Sequence, residues 1–546
     1  MTDPSDSSEA NDTNDMNDMN DTITIPDRVN MAEWFLDARL AEGRGERTAI
    51  YYRDQQITYR AVVQASCQVT NLLRELGLRI EDRVLLLLLD TPEFAYAYFG
   101  VLRAGAVAIP ANTWLKTDDY AYYLEYARPR AVIVDAEVYP QLAPALESAA
   151  YPPIVIVVDR SGGAERREGT LDWSAEVGRQ PTSAATEPTY RDDFSTWLSS
   201  SGSTGKPKCV VHMHHDFIWN TVAYAQRTLG LTENDITLAA PKLFFGYALA
   251  SNMLFPFSVG GACVLIPERV PAPDYYELLE RYRVTNFVTV PTTIAKMIAA
   301  IDSAEGRDLG PLWGLVSAGE ALPGRLYRAW KEATGVEIYD GIGSAEMFHI
   351  YITNRPGDVK EGSLGKLVEG YSYRLIDDEG RDVPRGEIGT LVITGESAGA
   401  GYWRMRDRSR ATFWGDSVRG SDRFYVDEDG YFWFCGRGDD MLKCSGVYVS
   451  PVEVENCLLG HPAVHEAGVV GVRDSAGLEK AMAYVELRSG HSPSDALGAE
   501  IIAYARGQIA AFKAPRRVVF LDALPRTDTG KIRRAALRQL AAETAS

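Results

Sequence analysis

Residues 83–110 read RVLLLLLDTPEFAYAYFGVLRAGAVAIP, and their pattern indicates the class of fold. Residues 83–89, which contain the unbroken aliphatic run 84–89, predict a buried strand. The pattern at 92–103 predicts a helix that starts at a proline and ends before a glycine. A second apolar run at 107–110 predicts the next strand. A strand, a helix and a strand in this order predict a parallel βαβ unit, with helices on both faces of the sheet.

The same rhythm continues on both sides of this stretch. Predicted strands lie at 131–134, 154–158, 262–266, 286–290 and 313–317. Predicted helices lie at 60–76, 274–282, 292–301 and 324–334. Because the strands and helices fall into two groups, we expect two α/β halves of similar size.

The pattern of predicted strands and helices changes after about residue 360. Short turn-bounded strands at 373–377 and 390–394 predict an antiparallel sheet or small β-barrel. A compact α+β unit of normal domain size follows, with helices at 451–459 and 496–508 and strands at 467–472 and 481–487. We expect a large N-terminal domain at 23–438 and a smaller, mobile C-terminal domain at 439–546.

The composition narrows the function. The 546 residues carry 56 Lys and Arg against 75 Asp and Glu, a net charge of −19. An acidic chain is a poor partner for nucleic acid or for an anionic membrane surface. Residues 1–22 hold seven of the acids and no Lys or Arg, so we expect a disordered tail there. The scarcity of lysine fits either a high-salt host or a GC-rich genome.

Three features of the sequence bear on the cellular location of the protein. The N-terminus has neither the cationic start nor the apolar core of a signal peptide. The longest aliphatic run, 84–89, is far short of the roughly 20 residues that a spanning helix needs. The six scattered cysteines form no CxxC pair, which favours reduced thiols. We therefore expect a cytoplasmic protein without membrane insertion.

The sharpest local signal is SSSGSTGKPK at 199–208, which follows a predicted strand. Glycines let backbone N–H groups close on an anion, while hydroxyls and lysines add donors and charge. The spacing differs from a Walker A loop, which has four residues between its glycines and Ser or Thr after its Lys. The stretch indicates a phosphate cradle, with a flexible linker as the alternative.

Four further polar clusters follow. They are SAGEA at 317–321, DGIGSAE at 340–346, GRGDDMLKCSG at 436–446 together with Asp422, and PRTDTGK at 525–531. The first ends a predicted strand, where α/β sheets bind ligands. Glu346 is a candidate Mg²⁺ ligand, since that cation takes one or two carboxylates plus nucleotide phosphates. Each cluster alone could be a surface turn.

The HMHH segment at 212–215 admits a metal interpretation. Its spacing is poor for a tetrahedral site and no cysteine or acid cluster joins it. We expect these histidines to pack at the start of a helix beside the phosphate loop.

Taken together, in this order and spacing, the clusters resemble the adenylate-forming superfamily of acyl-CoA synthetases, nonribosomal adenylation domains and luciferases. The resemblance runs from about residue 30 to 540. The segments LFFGY at 243–247, DGIGSAEMFHIYITNRPGD at 340–358 and DGYFWFCGRGDDMLKCSGVYVSP at 429–451 look most like the benzoate–CoA ligase branch.

This resemblance implies an ATP-dependent ligase. It would activate benzoate or a substituted benzoate as acyl-AMP, release pyrophosphate, and pass the acyl group to coenzyme A with release of AMP. ATP, coenzyme A and Mg²⁺ are the implied cofactors, and degradation of aromatic compounds is the implied setting. The alternatives are an enzyme that loads a carrier protein, a ligase for a non-aromatic acid, and a non-catalytic sensor. The oligomeric state stays open, a homodimer included.

The resemblance also implies roles for residues. The catalytic group comprises Lys531, which would bridge the carboxylate and the α-phosphate, Glu346 as the metal ligand, and Arg437 near the ribose and phosphate. The nucleotide site comprises Ser201, Thr204, Gly205, Lys208, Gly319, Glu320, Ala321, Asp340, Gly341, Ile342, Ser344, Asp422 and Arg437. The acyl pocket comprises Phe245, Gly246, Tyr247, Ile342, His349 and Ile350. Lys443, Ser445 and Gly446 would meet coenzyme A, and Asp439 would be the hinge.

The chain departs from the family pattern at Ala345, where a threonine usually donates to the α-phosphate. Ser344 or Ser201 could take over that contact. At Gly246 the family often has a slightly larger residue, so we expect added room at the edge of the substrate ring.

Overall fold

The predicted βαβ unit is confirmed in the computed structural model, which describes residues 23–161, 168–201, 206–444, 447–473, 479–526 and 532–545. The strands Arg83–Leu87 and Val107–Pro110 pair in parallel, and the helix Pro92–Arg103 connects them. The first strand ends at Leu87, two residues before the aliphatic run does. The reason is that the Leu89 N–H turns to the Asp135 carboxylate, 2.7 Å away.

This unit belongs to an eight-stranded sheet. Its strands, in spatial order, are Gly401–Tyr402, Pro207–Met213, Phe194–Ser201, Val107–Pro110, Arg83–Leu87, Ala131–Asp135, Ile154–Val158 and Leu171–Asp172. The pairs from Phe194–Ser201 onward are parallel, whereas the first two pairs are antiparallel. The helices of this half are Tyr59–Glu75, Pro92–Arg103, Thr117–Ala127, Tyr139–Glu147 and Trp173–Gly178.

A nine-stranded sheet forms the second half. Its strands, in order, are Lys366–Leu367, Ile350–Thr353, Glu337–Gly343, Gly314–Ser317, Asn286–Thr289, Ile236–Ala239, Ala262–Val264, Thr48–Tyr52 and Gln55–Thr58. Its α-helices are Tyr275–Arg281, Pro291–Ala299 and Gly324–Thr334, with His214–Asn220, Gly246–Leu249, Phe255–Val259 and Ala38–Ala41 in the connections. Sequence analysis missed that the early strand Thr48–Tyr52 crosses over to pair with Ala262–Val264.

Two kinds of local distortion were also missed. Among the residues that the structure describes, three segments are π-helical: Glu33–Asp37, Thr221–Thr228 and Ala250–Leu254. Short 3₁₀ turns lie at Ala272–Asp274, Ile301–Ala304, Ala345–Met347 and Gly438–Asp440. The turn at Ala345–Met347 matters most, because it carries Glu346.

The antiparallel sheet predicted after residue 360 is present. Its five strands are Ser372–Ile376, Gly389–Thr394, Ser417–Val426, Phe413–Trp414 and Phe432–Arg437. The helix Arg406–Thr412 directly precedes the strand Phe413–Trp414. Residues 442–545 form the smaller α+β unit. It contains the hairpin Leu442–Cys444 and Val447–Val449, the sheet Val464–Arg473, Glu479–Leu487 and Arg517–Phe520, and the helices Pro451–Leu459, Asp495–Gln508 and Arg534–Ala545.

Apolar clusters lie between the sheets and on their outer faces. The largest cluster links both α/β halves and the antiparallel sheet, while separate clusters fill the outer faces of the two large sheets. The C-terminal unit packs around a cluster that includes Val454, Val469 and Ile501. The fold is therefore mixed α/β, with a large N-terminal domain and a smaller C-terminal domain. Among the described helices, none combines the length and apolarity needed to cross a membrane.

Candidate active site

The phosphate-loop segment forms an antiparallel hairpin. The strands Phe194–Ser201 and Pro207–Met213 pair along their length, with Ser200 opposite Lys208. The turn at 202–205, with the predicted residues Thr204 and Gly205, lies outside the described residues, as does the Ser201 side chain. Lys208 is buried, with 8% of its surface exposed.

Lys208 meets Glu346 at the centre of the site. The Lys208 ammonium donates to Glu346 Oε1 at 2.8 Å and to the Tyr402 hydroxyl at 2.8 Å. The Tyr402 hydroxyl in turn donates to Glu346 Oε1 at 2.7 Å. Burial alone would raise the pKa of Glu346, but the Lys208 charge and the two hydrogen bonds outweigh it and lower that pKa. The carboxylate is therefore held ionised.

Sequence reasoning missed Tyr402. It lies on the edge strand Gly401–Tyr402, which pairs with Val210 and Val211 of the Lys208 strand. Its ring also lies 4.2 Å from the Lys208 ammonium. A two-residue strand about 190 positions away carries no periodic signal, so nothing local in the sequence indicates this partner.

The two proposed walls of the nucleotide site meet at one edge of the nine-stranded sheet. In parallel pairing, Ser317 lies opposite Asp340. Gly319, Glu320 and Ala321 follow Ser317, while Gly341 and Ile342 follow Asp340. Gly319 has a φ of 85°, a left-handed conformation that favours glycine. The structure thus brings both predicted segments together.

The carboxyl group of Asp340 links the two walls by hydrogen bonds. Its Oδ1 accepts from the Ser317 hydroxyl at 2.7 Å. Burial raises the pKa of Asp340 to about 8, although hydrogen bonds from Ser317 and from the backbone of Gly341 and Leu322 oppose that rise. The side chain therefore ties the two walls to each other. On the neighbouring wall, Glu320 accepts from the backbone and hydroxyl of Thr292 at 3.1 and 2.7 Å.

Tyr247 and His349, both predicted pocket residues, lie side by side. Their rings stack at 5.5 Å with an interplanar angle of 28°. His349 Nε2 lies 3.1 Å from the Tyr247 carbonyl and 2.9 Å from the Ser251 hydroxyl. Because a carbonyl only accepts, Nε2 carries the proton and Nδ1 is bare. Burial lowers the pKa of His349 to about 3, so the ring is neutral.

The rest of the predicted pocket is mostly apolar. Ile350 is buried, and Phe245 is 39% exposed beside Phe244. A Cβ placed on Gly246 would lie 3.1 Å from Leu198 Cδ1. The space expected from this glycine is therefore bounded by a leucine side chain of the phosphate-loop strand.

Asp422 and Arg437 are cross-strand partners. They lie opposite each other where Ser417–Val426 pairs with Phe432–Arg437. The Arg437 side chain is not among the described ones. The predicted ribose ligand and its neighbouring arginine thus share one rung of the antiparallel sheet.

The proposed hinge follows directly in the turn Gly438–Asp440. Asp440 contacts Arg538 and lies 3.8 Å from Arg534, so the turn is ion-paired to the last helix. Of the remaining predicted residues, Ser445, Gly446 and Lys531 lie outside the described residues, as do the side chains of Asp439 and Lys443.

The histidines at 212–215 lie where the phosphate-loop strand passes into the helix His214–Asn220. His212 and His214 are buried, as packing at the start of a helix predicts. Within the described part of the chain, no group of three or more His, Cys, Asp or Glu side chains is arranged to hold a metal ion.

The chain is similar to known proteins along most of its length. Residues 37–403 match the family described as AMP-binding enzyme, and residues 453–531 match the AMP-binding enzyme C-terminal domain. The chain is 40% identical over 518 residues to a benzoate–CoA ligase of Thauera aromatica. The matched region covers 94% of this chain and 97% of the relative.

Two solved structures are also similar. One is the anthranilate CoA ligase AuaEII in complex with anthranoyl-AMP, with a TM-score of 0.87, 40% identity, and coverage of 95% of this chain and 99% of that one. The other is a benzoate CoA ligase from Burkholderia xenovorans, with a TM-score of 0.81, 39% identity, and coverage of 93% and 100%.

The fold and the site together define an adenylate-forming enzyme. The chain belongs to the AMP-binding enzyme family. Its similarities place it in the benzoate–CoA ligase branch of that family.

Proposed function

We infer that this protein is an AMP-forming acid–CoA ligase that activates an aromatic carboxylate. In the first half-reaction, a carboxylate oxygen attacks the α-phosphorus of ATP and pyrophosphate leaves. In the second, the thiol of coenzyme A attacks the acyl carbon, loses its proton, and displaces AMP. Both steps bring anionic groups together, so they need fixed cations and dipoles.

One observation carries the proposal: the turn that holds Glu346 against Lys208 leads within three residues to His349, which stacks on Tyr247. The phosphate-side carboxylate is therefore followed directly in the chain by a residue of the candidate acyl site. A site of this kind places a carboxylate beside a triphosphate.

We assign the nucleotide roles as follows. Lys208, with Thr204 and Gly205, meets the β- and γ-phosphates, and Ser201 and Ser344 lie near the α-phosphate. The segments 319–321 and 340–342 enclose the adenine. Asp422 accepts from the ribose hydroxyls, as a carboxylate can with two oxygens. Arg437, its cross-strand partner, serves the ribose and phosphate.

The residues present fit Mg²⁺. Glu346 supplies one ionised carboxylate, and an Mg²⁺ ion that arrives with ATP needs few protein ligands because phosphates and waters complete its shell. When bound, the ion would offset phosphate charge. The Lys208 ammonium already lies at this carboxylate, so Glu346 is ordered before the nucleotide binds.

The C-terminal domain supplies the residues that change between the steps. We place the boundary between residues 438 and 439, with Asp439 as hinge. Lys531 serves adenylation, and the segment of Lys443, Ser445 and Gly446 serves coenzyme A. Gly436, with a φ of 125°, and Gly438 flank the hinge and suit a large backbone change.

The pocket favours a flat acid. Phe245 is 39% exposed, and Tyr247 stacks on the buried ring of His349. The Tyr247 hydroxyl lies within 3.1 Å of the carbonyls of Thr289 and Val316, so it is engaged by the sheet. A pocket of neutral rings suits benzoate and its hydroxy or amino derivatives.

We place the enzyme in the cytoplasm. Each of the five cysteines whose side chains the structure describes is unpaired, and four of them are buried. Reduced thiols are typical of that compartment.

A panel of acids tests the function. Purified protein would be incubated with ATP, Mg²⁺, coenzyme A and one acid at a time: benzoate, three hydroxybenzoates, 2-aminobenzoate, malonate or a short fatty acid. Mass spectrometry would follow thioester, AMP and ADP. We expect aryl-CoA and AMP with at least one aromatic acid and far less with the aliphatic acids. Thioester formation only with a carrier protein, or only with aliphatic acids, would contradict the proposal.

A further inference from the structure

His212 is buried between the two parts of the proposed phosphate site. It lies on the strand Pro207–Met213, four residues after Lys208. Its Nε2 lies 2.7 Å from the carbonyl oxygen of Ala345, and its Nδ1 lies 2.8 Å from Asp216 Oδ2. Ala345 directly precedes Glu346, so this ring joins the lysine strand to the glutamate turn.

The direction of one hydrogen bond is fixed. A backbone carbonyl only accepts, so His212 Nε2 carries a hydrogen and donates it to Ala345. On the other side, either the ring donates to the Asp216 carboxylate or a protonated Asp216 donates to the ring. Both arrangements leave the Nε2–H bond to Ala345 in place.

The turn Ala345–Met347, which carries Glu346, needs contacts with other segments to stabilise it. Phe348 has φ 66° and ψ −59°, the region of a strained three-residue turn, and the His349 N–H closes it on the Met347 carbonyl at 2.8 Å. A bulky residue stays in such a conformation only where its surroundings determine it. The Phe348 ring packs on Phe217 at 4.1 Å.

Three consecutive carbonyls of this turn have donors from other parts of the chain. His212 donates to Ala345, the Gly399 N–H donates to Glu346 at 2.9 Å, and the Ser397 hydroxyl donates to Met347 at 2.9 Å. His212 is the one donor of these that shares a strand with Lys208.

The 397–399 loop lies close to the His212 ring. A Cβ on Gly399 would lie 3.1 Å from His212 Cε1. The ring is therefore enclosed on the side of the 397–399 loop, and little free space remains for it to turn away from Ala345.

We propose that His212 is a positioning residue for adenylation. Its Nε2–H bond fixes the Glu346 turn relative to the Lys208 strand, and so sets where the carboxylate and the ammonium meet the triphosphate. This inference rests on the proposed function. It implies that His212 matters for the step that handles pyrophosphate and not for the transfer of an acyl group from a ready-made adenylate.

The test compares His212→Gln with His212→Met. Both variants lose the imidazole contact to Asp216 and have similar length, and Met packs well in irregular cores. Only Gln keeps an N–H where Nε2 was. We expect kcat/KM for MgATP in pyrophosphate exchange to fall about tenfold in His212→Met relative to His212→Gln, as for one lost hydrogen bond. Thioester formation from synthetic aryl-adenylate should be equal in the two.

Two additions sharpen the comparison. His212→Asn keeps an N–H near Nδ1 rather than Nε2, so it should behave like Met. His215→Gln is the matched control: the His215 ring lies 3.5 Å from Glu396 and 3.6 Å from Asp216, and it should keep wild-type rates. Thermal melts identify any variant that does not fold. The comparison then rests on folded variants, with His212→Gln, which keeps the donor, set against His212→Met or His212→Asn, which lack it.

MgATP binding by calorimetry, without acid or coenzyme A, separates this inference from the proposed function. If the wild type binds MgATP but forms no aryl thioester, the function is wrong, while weaker binding in Met than in Gln still supports the role of His212. If Met and Gln bind MgATP equally and exchange pyrophosphate equally, or if both half-reactions fall together, the inference is overturned.

Discussion

The Lys208 ammonium lies 2.8 Å from Glu346 Oε1, although 138 residues separate the two in the chain. The contact joins a strand of the eight-stranded sheet to a turn that follows a strand of the nine-stranded sheet. The two α/β halves therefore contribute one charge each to a single site.

Tyr402→Phe should slow adenylation selectively. The substitution removes the hydroxyl that contacts both Lys208 and Glu346 but keeps the ring beneath the ammonium. We expect kcat/KM for MgATP to fall by about tenfold to a hundredfold, since hydrogen bonds to charged groups are worth about 1.5–3 kcal/mol. Pyrophosphate exchange measures it. Tyr425→Phe, whose ring stacks on Trp433, is the control and should match wild type.

Ala345→Thr should speed adenylation by at most about tenfold, the equivalent of 1.4 kcal/mol. The added hydroxyl would reach the α-phosphate that the usual threonine of the family contacts. A contact made mainly in the transition state raises kcat and leaves the KM for ATP alone. Pyrophosphate exchange at saturating aryl acid measures both constants. A fall in kcat would point instead to Ser344 as the existing donor, which Ser344→Ala would then expose.

Gly246→Ala should narrow the acyl pocket. The new Cβ would lie 3.1 Å from Leu198 Cδ1, so the leucine must shift toward its neighbours. We expect kcat/KM to fall more for substituted benzoates than for benzoate. Leu198→Val in the same chain should restore part of the loss. Equal loss across the acid panel would show that this contact does not bound the ring.

His349→Gln should flatten the dependence of stability on pH. His349 has a folded pKa of about 3 against an ordinary value of 6.5, so the unfolded chain binds the extra proton. Stability is therefore lost as pH falls below 6.5, by about 2 kcal/mol between pH 6.5 and 5. Gln cannot titrate, so melting temperatures should change less over this range.

A second buried histidine bears on that measurement. His214 has a similarly lowered pKa of about 3, so part of the dependence should persist in His349→Gln. A slope in His349→Gln as steep as that of the wild type would contradict the assignment of a neutral buried ring.

Much of the architecture could be predicted because local signals agree with the fold. The helix Pro92–Arg103 was predicted with its observed bounds, since a proline opens it and a glycine follows it. The strands Val107–Pro110 and Ile154–Val158 also match, because buried parallel strands are continuous apolar runs.

What could not be predicted depends on contacts between distant segments. The strand Thr48–Tyr52 joins the second sheet through Ala262–Val264, a choice that no local pattern encodes. Tyr402 reaches Lys208 from a two-residue strand, and His212 reaches Ala345 across 133 residues. The motifs indicated which residues carry charge, whereas the side chains that orient them became visible only in the folded chain.

Lys531→Ala, assayed in each half-reaction separately, tests whether the C-terminal domain serves the two half-reactions with different residues. We propose that Lys531 neutralises charge where the carboxylate meets the α-phosphate, and that another segment of the domain serves coenzyme A. Pyrophosphate exchange should be reduced by a hundredfold or more, on the order of 3 kcal/mol. Thioester formation from synthetic aryl-adenylate and coenzyme A should stay within about twofold of wild type. Equal loss of both half-reactions, or full retention of pyrophosphate exchange, would contradict the account.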